Sequence, residues 1–435
     1  MVRILRTAGF EAYWAGGSVR DQLMGRTPKD VDIATAAPPD VIEKLFPKTR
    51  EVGKAFGVML VIDDPFVFEV ATFRRDLAYL DGRRPSSVAF ASAEEDARRR
   101  DFTVNGLFFD PIEKKVIDFV DGRSDLKRRV IRAIGNPDER FEEDHLRLLR
   151  AVRFACVLDF DIDPATMASI QKNAPKLGLI SAERIQQELS RMLLESPRAG
   201  RVLRLLDETQ LLPVFLPELV AMKGCEQPPK YHPEGDVFVH TALMLDGMTE
   251  KRDLVLALSV LLHDVAKPPT MKRVIQEDGT ERIRFDGHAE LGATMAESIL
   301  SRLRYPNQVI EDVVHCVRGH MRFMHVQDMR RSTLRRLMGS PTFPAELELH
   351  RLDCQSSHND LSNFTFLQEQ FAAMQSEPAL PEPWVSGRDI IALGIPEGRE
   401  VGHWRKLAYD AQLESRFENR DALLAWLASE IKSKT

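Results

Sequence analysis

Gly16-Gly17-Ser18-Val19-Arg20-Asp21, followed nine residues later by Asp30-Val31-Asp32, is the stretch on which the reading of the fold turns. The short apolar run Ala12 to Ala15 ahead of it reads as a strand, and Ser18 to Gly25 as a short helix. Paired glycines let the chain turn tightly and bring backbone N–H groups up to an anion, so a triphosphate fits there. Val31, Ile33 and Ala34 predict a second strand, which puts Asp30 and Asp32, two apart, on one face. Two carboxylates on a shared face can hold two divalent ions that activate an attacking hydroxyl and neutralise a leaving pyrophosphate. Oxygen-only ligands favour Mg2+. Alone, each element also fits a glycine turn or a solvated acidic loop; together and in this order they read as nucleotidyl transfer.

Outward from that stretch, residues up to about Ile134 alternate short apolar strands (Val58 to Ile62, Phe66 to Phe73, Val116 to Val120) with polar helical segments. After Gly135-Asn136-Pro137 the patterns lengthen and become helical: Glu143 to Ala155, Ala182 to Glu195 behind a Ser181 N-cap, and Ala199 to Glu208. Beyond them nothing reads as a core strand. Pro228-Pro229, Pro268-Pro269 and the Pro378-to-Pro383 stretch punctuate this half as connections. The 435 residues are too many for one ordinary core and point to two to four units. No apolar run approaches bilayer length and no basic-then-apolar leader opens the chain, so a cytoplasmic location is expected. Cys156, Cys225, Cys316 and Cys354 are scattered, without a C-x-x-C pair, and read as reduced thiols. The net charge of −6 argues against a generic nucleic-acid coat. Local clusters (Arg98 to Arg100, Lys127 to Arg129 with Arg132, Arg330-Arg331 with Arg335-Arg336) fit solvated faces and RNA contacts alike.

In Phe66 to Phe73, Glu69 falls on the face opposite Phe66, Phe68 and Val70, where it can join Asp30 and Asp32 as a third carboxylate. A lone acid in a strand also fits an edge position, and Asp101 of Arg99-Arg100-Asp101 competes for the same role. Further on, Asp144, Arg147 and Arg150 recur every three residues and drift about 60° per step on a helix, sharing one broad face, while Arg153 turns away. A carboxylate accepts from an exocyclic amine, and a guanidinium donates in a planar fork to ring acceptors. Cytosine and adenine carry an amine beside a ring acceptor; guanine and uracil present an N–H there. An Asp144/Arg147 edge therefore accepts C and A and rejects the others. Asp-x-x-Arg alone also fits an exposed ion pair, but its place directly after the head motifs favours base reading.

In the second half, His240 and His263-Asp264 fall in helical patterns, the latter inside the apolar run Leu254 to Ala266. Ionisable groups among such neighbours need a metal or hydrogen-bond partners. His315 and His320 are further candidates, and His358 has no assigned role. Mixed imidazole and carboxylate donors suit Mn, Fe, Co or Ni better than Ca. A scaffold that has lost its metal is the alternative.

The segments GGSVRDQLMGR, KDVDIAT, EVATFRRD, DGRRPSSVAF, EEDARRRDFTVNGL and EEDHLRLLRAVRFA, in this order and spacing, resemble the bacterial class II tRNA CCA-adding enzymes and their poly(A) polymerase relatives. SGRDIIALGIPEGREVG near the C-terminus is similar to the tail of the same enzymes, so the resemblance covers essentially the whole chain. His240, His263-Asp264, His288 and Asp353 resemble the HD phosphohydrolase domain fused to some of them. The resemblance implies an α+β chain: a polymerase-beta-like nucleotidyltransferase head (mixed sheet with helices) over 1–135 and an all-α neck with the nucleotide template over 136–205. An HD-type helical domain over 206–360 and a helical tail that contacts tRNA over 361–435 follow. It implies Asp30, Asp32, Glu69 and Asp101 as the catalytic acids, with Arg100 gripping phosphate and Asp101 ordering the site. Nucleotide binding then falls to Gly16, Gly17, Arg20, Arg100, Asp144, Arg147, Arg150 and Arg153, and the HD metal to His240, His263, Asp264, His288 and Asp353. Tyr79 to Pro85 is similar to the loop those enzymes use in switching from CTP to ATP. The expected activity is template-independent rebuilding of a tRNA 3′ CCA end from CTP and ATP with Mg2+, the RNA held by shape and phosphate contacts. A transition metal at the HD site and no membrane or DNA partner complete the expectation. The rivals are an A-only or poly(A)-adding enzyme and, in another class, a metal-dependent HD phosphohydrolase with an RNA-binding head.

Overall fold

The computed structural model describes residues 1–28, 30–53, 56–76, 88–228, 232–248, 252–373 and 378–434. The switching loop expected at Tyr79 to Pro85 lies outside them. The chain divides into two compact units, the first Met1–Lys223 with two short later pieces, the second most of the residues from Gly224 onward.

The first unit opens with strands β1 (Ala12–Ala15), β2 (Asp32–Thr35), β3 (Thr49–Gly53), β4 (Val58–Asp63), β5 (Phe66–Thr72), β6 (Arg74–Asp76), β7 (Val88–Phe90), β8 (Leu107–Asp110) and β9 (Lys115–Asp118). Seven of them form one mixed sheet in the order β3-β4-β5-β2-β1-β8-β9, and β6 pairs with β7 alone. Only β2 and β5 run parallel within the large sheet. Period-two alternation assigns the faces. Ala12, Ile33, Met59, Val61 and Val70 meet Leu5, Ile42 and Phe46 on one side, while Tyr13, Ala15, Ala34, Phe73 and Phe108 meet Ala93 and Ala97 on the other. Asp32 shares its side with Ala34, and Glu69 shares that same side with Ala71 and Phe73.

The rest of this unit is helical: α1 (Val2–Thr7), α2 (Gly17–Leu23), α3 (Pro39–Leu45), α4 (Ala93–Arg98) and α5 (Gly122–Arg128) decorate the sheet, and α6 (Pro137–Glu143), α7 (Arg147–Leu158), α8 (Pro164–Asn173), α9 (Ala182–Glu195) and α10 (Gly200–Glu208) follow it. Ser181 is the N-cap of α9, though its hydroxyl makes no capping hydrogen bond. Leu148, Leu149 and Val152 of α7 and Ile185, Leu189 and Met192 of α9 are buried, and the two helices pack together.

The sequence predicted one helix through Glu143 to Ala155; the chain instead breaks there. Asp144 is extended (φ −146°, ψ 105°) and α7 starts at Arg147. Its carboxylate accepts from the Leu146 N–H at 3.1 Å, a local side-chain bond that competes with the helical ladder.

The second unit carries helices Val237–Asp246, Leu254–Leu262, His288–Arg302, Asn307–Gly319 and Phe343–Ser356, and a C-terminal trio, Gly387–Ala392, Arg399–Leu413 and Arg420–Lys434, with its own core of Ile390, Trp404, Leu423 and Leu427. An exposed hairpin, Lys272–Ile275 with Glu281–Arg284, adds strands that apolar patterning did not announce, because it buries no face. All four cysteines are buried, and among the described residues they form no disulfide. Among the described residues, no helix is long and apolar enough to cross a membrane.

Candidate active site and metal centre

A cleft of about 940 Å³ in the first unit is lined by the glycine turn, by Asp30 and Asp32, and by Arg100, Asp144 and Arg147. Gly16 has φ +69°, and a Cβ there would lie 2.8 Å from Arg100 Nη1. No other residue allows the turn and the guanidinium to approach so closely. Ser18 is occupied, its hydroxyl donating to the Ala15 carbonyl at 3.0 Å.

Strand β2 begins at Asp32, and Asp30 sits in the bend just before it rather than on the strand. Both still line the cleft. In the parallel pairing Ile33 faces Val70, so one residue back along each strand Asp32 neighbours Glu69. Desolvation, then the charges of Glu69 and Asp30, raise the Asp32 carboxyl to about 6, with Arg100 opposing them. A carboxylate cluster so short of positive charge is a fitting seat for a hard cation, and its donors are all oxygen.

The capping box of Ser92 and Glu95 starts α4, and the chain leaving it delivers Arg99, Arg100 and Asp101 to the cleft. Buried Asp96 receives Arg99 Nε at 2.9 Å and Arg100 Nη2 at 3.1 Å, while Arg100 Nη1 donates to the Asn105 carbonyl at 3.2 Å. Asp101 accepts from the Phe102 N–H (2.8 Å), Asn105 Nδ2 (3.0 Å) and Arg150 Nε (2.9 Å). Burial alone would raise its carboxyl; Arg150 and Asn105 hold it well below the usual range. Asp101 is thus committed to protein donors, whereas Glu69 shares its sheet face with Asp32. Arg20 is a brace too, donating to Asn105 Oδ1 at 2.7 Å.

Also lining the cleft, Arg147 is pinned by Glu143 and by the carbonyls of Arg140 (3.0 Å) and Arg99 (3.2 Å). Asp144 is held by Arg184 Nη2 at 3.1 Å, from α9. Arg184 escaped the sequence reading because it lies 40 residues away from its partner. Arg153 donates to Glu188 at 2.6 Å with both side chains buried, so it ties α7 to α9.

In the second unit His240, His263 and Asp353 come together in one group and Asp264, His288 and His320 in another, joined through the His263–Asp264 contact at 3.0 Å. His263 and Asp264 occupy the turn that leaves helix Leu254–Leu262, not its interior. Carbonyls at a helix end lack ladder partners, and the His263 ring takes one: its Nδ1 donates to the Val260 carbonyl at 2.9 Å. His288 and His320 do the same to Phe285 (2.7 Å) and Val317 (2.6 Å). With Nδ1 protonated in each, Nε2 is left as a lone pair aimed inward. Burial lowers His288 and carries His320 down to about 4, so both rings are neutral, yet their Nε2 atoms face each other at 3.1 Å. A cation between them relieves that opposition. Among the described residues the buried Nε2 atoms of His240 and His263 make no well-aligned hydrogen bond, although each lies beside a carboxylate, His263 Nε2 at 3.0 Å from Asp264 Oδ2. His240 Nε2 lies 3.2 Å from Asp353 Oδ1; burial opposes its charge, but Asp353 and Glu234 carry it up to about 9, so positive charge is favoured here. This donor set fits a transition metal. Glu234 and His232, beside His240, gave no sequence signal. His315 stands apart, 3.3 Å from Glu346, and His358 is exposed.

The head sheet, its acid cluster and the helical units define the class: residues 12–132 match the poly A polymerase head domain, 159–222 the probable RNA and SrmB-binding site of polymerase A, and 236–351 the HD domain. The CCA-adding enzyme of Bacillus subtilis is 31% identical over 407 residues, 93% of this chain and 89% of that one. The chain belongs to the CCA-adding enzyme family. Other curated relatives match over about half their length, such as the CCA-adding enzyme of Ligilactobacillus salivarius, 48% identical over 45% of this chain and 49% of its own. The crystal structure of the Bacillus stearothermophilus CCA-adding enzyme in complex with CTP is similar to it, with a TM-score of 0.74 and 28% identity over 100% of this chain and 96% of that one.

Proposed function

We propose that this chain rebuilds the 3′-terminal CCA of tRNA from CTP and ATP, in the cytoplasm and without a nucleic-acid template. The observation that carries the reading is one cleft lined by two chemically distinct sets of side chains. Asp30 and Asp32 line it, with Glu69 neighbouring Asp32 on the paired strand, and so do Asp144 and Arg147, each of these two already held in place by a charged neighbour.

Asp30 and Asp32, with Glu69 beside them, would hold Mg2+, which supplies activation of the attacking 3′ hydroxyl and neutralisation of the leaving pyrophosphate. Arg100, fixed by Asp96 and the Asn105 carbonyl, lies against the glycine turn and grips the triphosphate. Asp101 keeps Arg150 and Asn105 in place and is a positioning residue. Asp144 accepts from the exocyclic amine of C or A, and Arg147 donates to the adjoining ring acceptor, so that G and U, with an N–H in that position, are refused.

The second unit would hold a transition metal through His240, His263, Asp264, His288, His320 and Asp353, giving a phosphohydrolase site separate from the nucleotide cleft. Such a metal supplies an activated water for attack on a phosphoester.

The test supplies tRNA lacking its last three nucleotides, and the same tRNA ending in CC, with each labelled nucleotide separately. Incorporation of C then A on the first substrate and of A alone on the second is expected. Runs of A on either would make the chain a poly(A) polymerase, and no incorporation would refute the reading.

A further inference from the structure

Three of the inward-facing histidines orient themselves. His263, His288 and His320 each give Nδ1 to a carbonyl three residues earlier in their own chain segment. His240 is the exception. It sits inside helix Val237–Asp246, where the carbonyls are taken up by the ladder, and its Nδ1 bonds instead to Glu234 Oε1 at 2.6 Å.

Glu234 is placed for that contact by the chain ahead of the helix. Gly235 takes φ +127°, which turns the segment back, and Asp236 then caps the helix by accepting from the Val239 N–H at 2.9 Å. The second Asp236 oxygen accepts from the Gly224 N–H at 2.7 Å, anchoring the turn. The Glu234 side chain is 7% exposed, and the same Oε1 also accepts from His232 Nδ1 at 2.9 Å. The two rings stand edge-to-face, 5.0 Å between centroids. Its other oxygen, Oε2, is buried and has no partner among the described residues. A buried carboxylate in this state is expensive as mere packing.

We propose that Glu234 is the positioning residue of this metal centre: it fixes the Nδ1–H tautomer of His240, sets the ring plane, and raises the donor strength of Nε2 towards the ion. The proposal rests on the transition-metal reading of the second unit. An ionised carboxylate can only accept, so the proton shared with it stays on Nδ1, and Nε2 is the ring atom left to offer its lone pair to an ion. Carboxylate-backed imidazoles bind metals more tightly, and losing the backing group typically weakens affinity by about 10–100-fold. His232, donating to the same oxygen, keeps Glu234 from swinging away.

The test measures Co2+ affinity and the visible d–d spectrum of the full-length protein for wild type, Glu234→Gln, Glu234→Ala and His232→Ala. Glu234→Ala is expected to bind Co2+ about 10–100-fold more weakly with an altered spectrum. Glu234→Gln, of the same shape but uncharged, should fall between it and wild type, and His232→Ala should lose less. Thermal unfolding of the metal-free variants accompanies the titrations, because a turn that only caps a helix would lower stability and leave Co2+ affinity alone. Co2+ affinity and spectrum unchanged in Glu234→Gln and Glu234→Ala, while wild type binds, would overturn the assignment of Glu234 and leave the metal centre standing. Failure of wild type to bind Co2+ would overturn both.

Discussion

Asp101→Ala tests whether the acid between the glycine turn and the template helix is a brace. In the native state its carboxylate takes the Phe102 N–H, Asn105 Nδ2 and a forked pair from Arg150. Breaking a buried ion pair by removing one partner costs about 3–5 kcal/mol. Arg150 keeps 32% of its side chain exposed and can rehydrate, which places the loss at the low end, about 3 kcal/mol. Asp101→Asn keeps the shape and one acceptor but gives up charge-assisted hydrogen bonding, worth about 1.5–3 kcal/mol, so about 2 kcal/mol is expected. Amide hydrogen exchange of α7 reads this locally: about 2 kcal/mol makes opening about 30-fold more frequent, at about 1.36 kcal/mol per factor of ten. The pH dependence has a definite sign. The folded carboxyl is held below its unfolded value of about 4, so its contribution is complete above that pH and is lost as pH falls towards the folded value. The gap between wild type and Asp101→Asn should therefore be full at about pH 7 and shrink below about pH 4. Equal α7 exchange in wild type and both variants at neutral pH would refute the brace, and a gap that ignored pH would refute its electrostatic origin.

Asp30→Ala or Asp32→Ala should abolish nucleotide addition while tRNA binding, measured by filter retention, stays near wild type; near-normal turnover of the double variant with Mg2+ would remove both from the reaction. Because Asp32 is raised to about 6, protons compete with Mg2+ below that pH, and the Mg2+ concentration for half-maximal addition should climb about tenfold per unit there. Asp144→Ala should admit UTP or GTP as well as slow the reaction, and a slower enzyme with unchanged preference in single-nucleotide assays would make the pair structural. His263→Ala with Asp264→Ala should eliminate bound transition metal and hydrolysis of a 2′,3′-cyclic nucleotide while sparing CCA addition. Elemental analysis and the two activity assays on the same preparation check this.

The head was legible because its signals are local. Alternation of Ile33 against Ala34, and of Val70 against Glu69 and Ala71, assigns sheet faces, and a glycine doublet before a D-x-D needs no distant partner to be recognised. For the proposed template the periodicity predicts the wrong backbone at Asp144. Periodicity treats Asp144 as one more helical position, whereas an aspartate can bond its own chain two residues on, and here it accepts from the Leu146 N–H and breaks the helix. The break lets Asp144 meet Arg184 across α9 instead of stacking beneath Arg147, a geometry that spacing alone cannot supply.

The candidate metal centre shows the complementary limit. His263-Asp264 stands out because ionisable groups among apolar neighbours demand an explanation, whereas His288 and Asp353 enter through the resemblance to the HD domain. The groups that orient them do not stand out. Backbone carbonyls carry no residue identity, so the acceptors at Val260, Phe285 and Val317 are invisible in sequence. Glu234 is masked for a different reason: three residues ahead of a helix and two from its cap Asp236, it reads as one more acid near an N-terminus, where negative charge is favoured anyway. What separates the two acids is where their oxygens go. Asp236 gives both to backbone N–H groups, the ordinary work of a cap and an anchor, and Glu234 gives one to two imidazoles and leaves the other buried. Substituting Asp236 should therefore loosen the helix start, and substituting Glu234 should weaken the grip on the ion, although the two side chains lie only two residues apart.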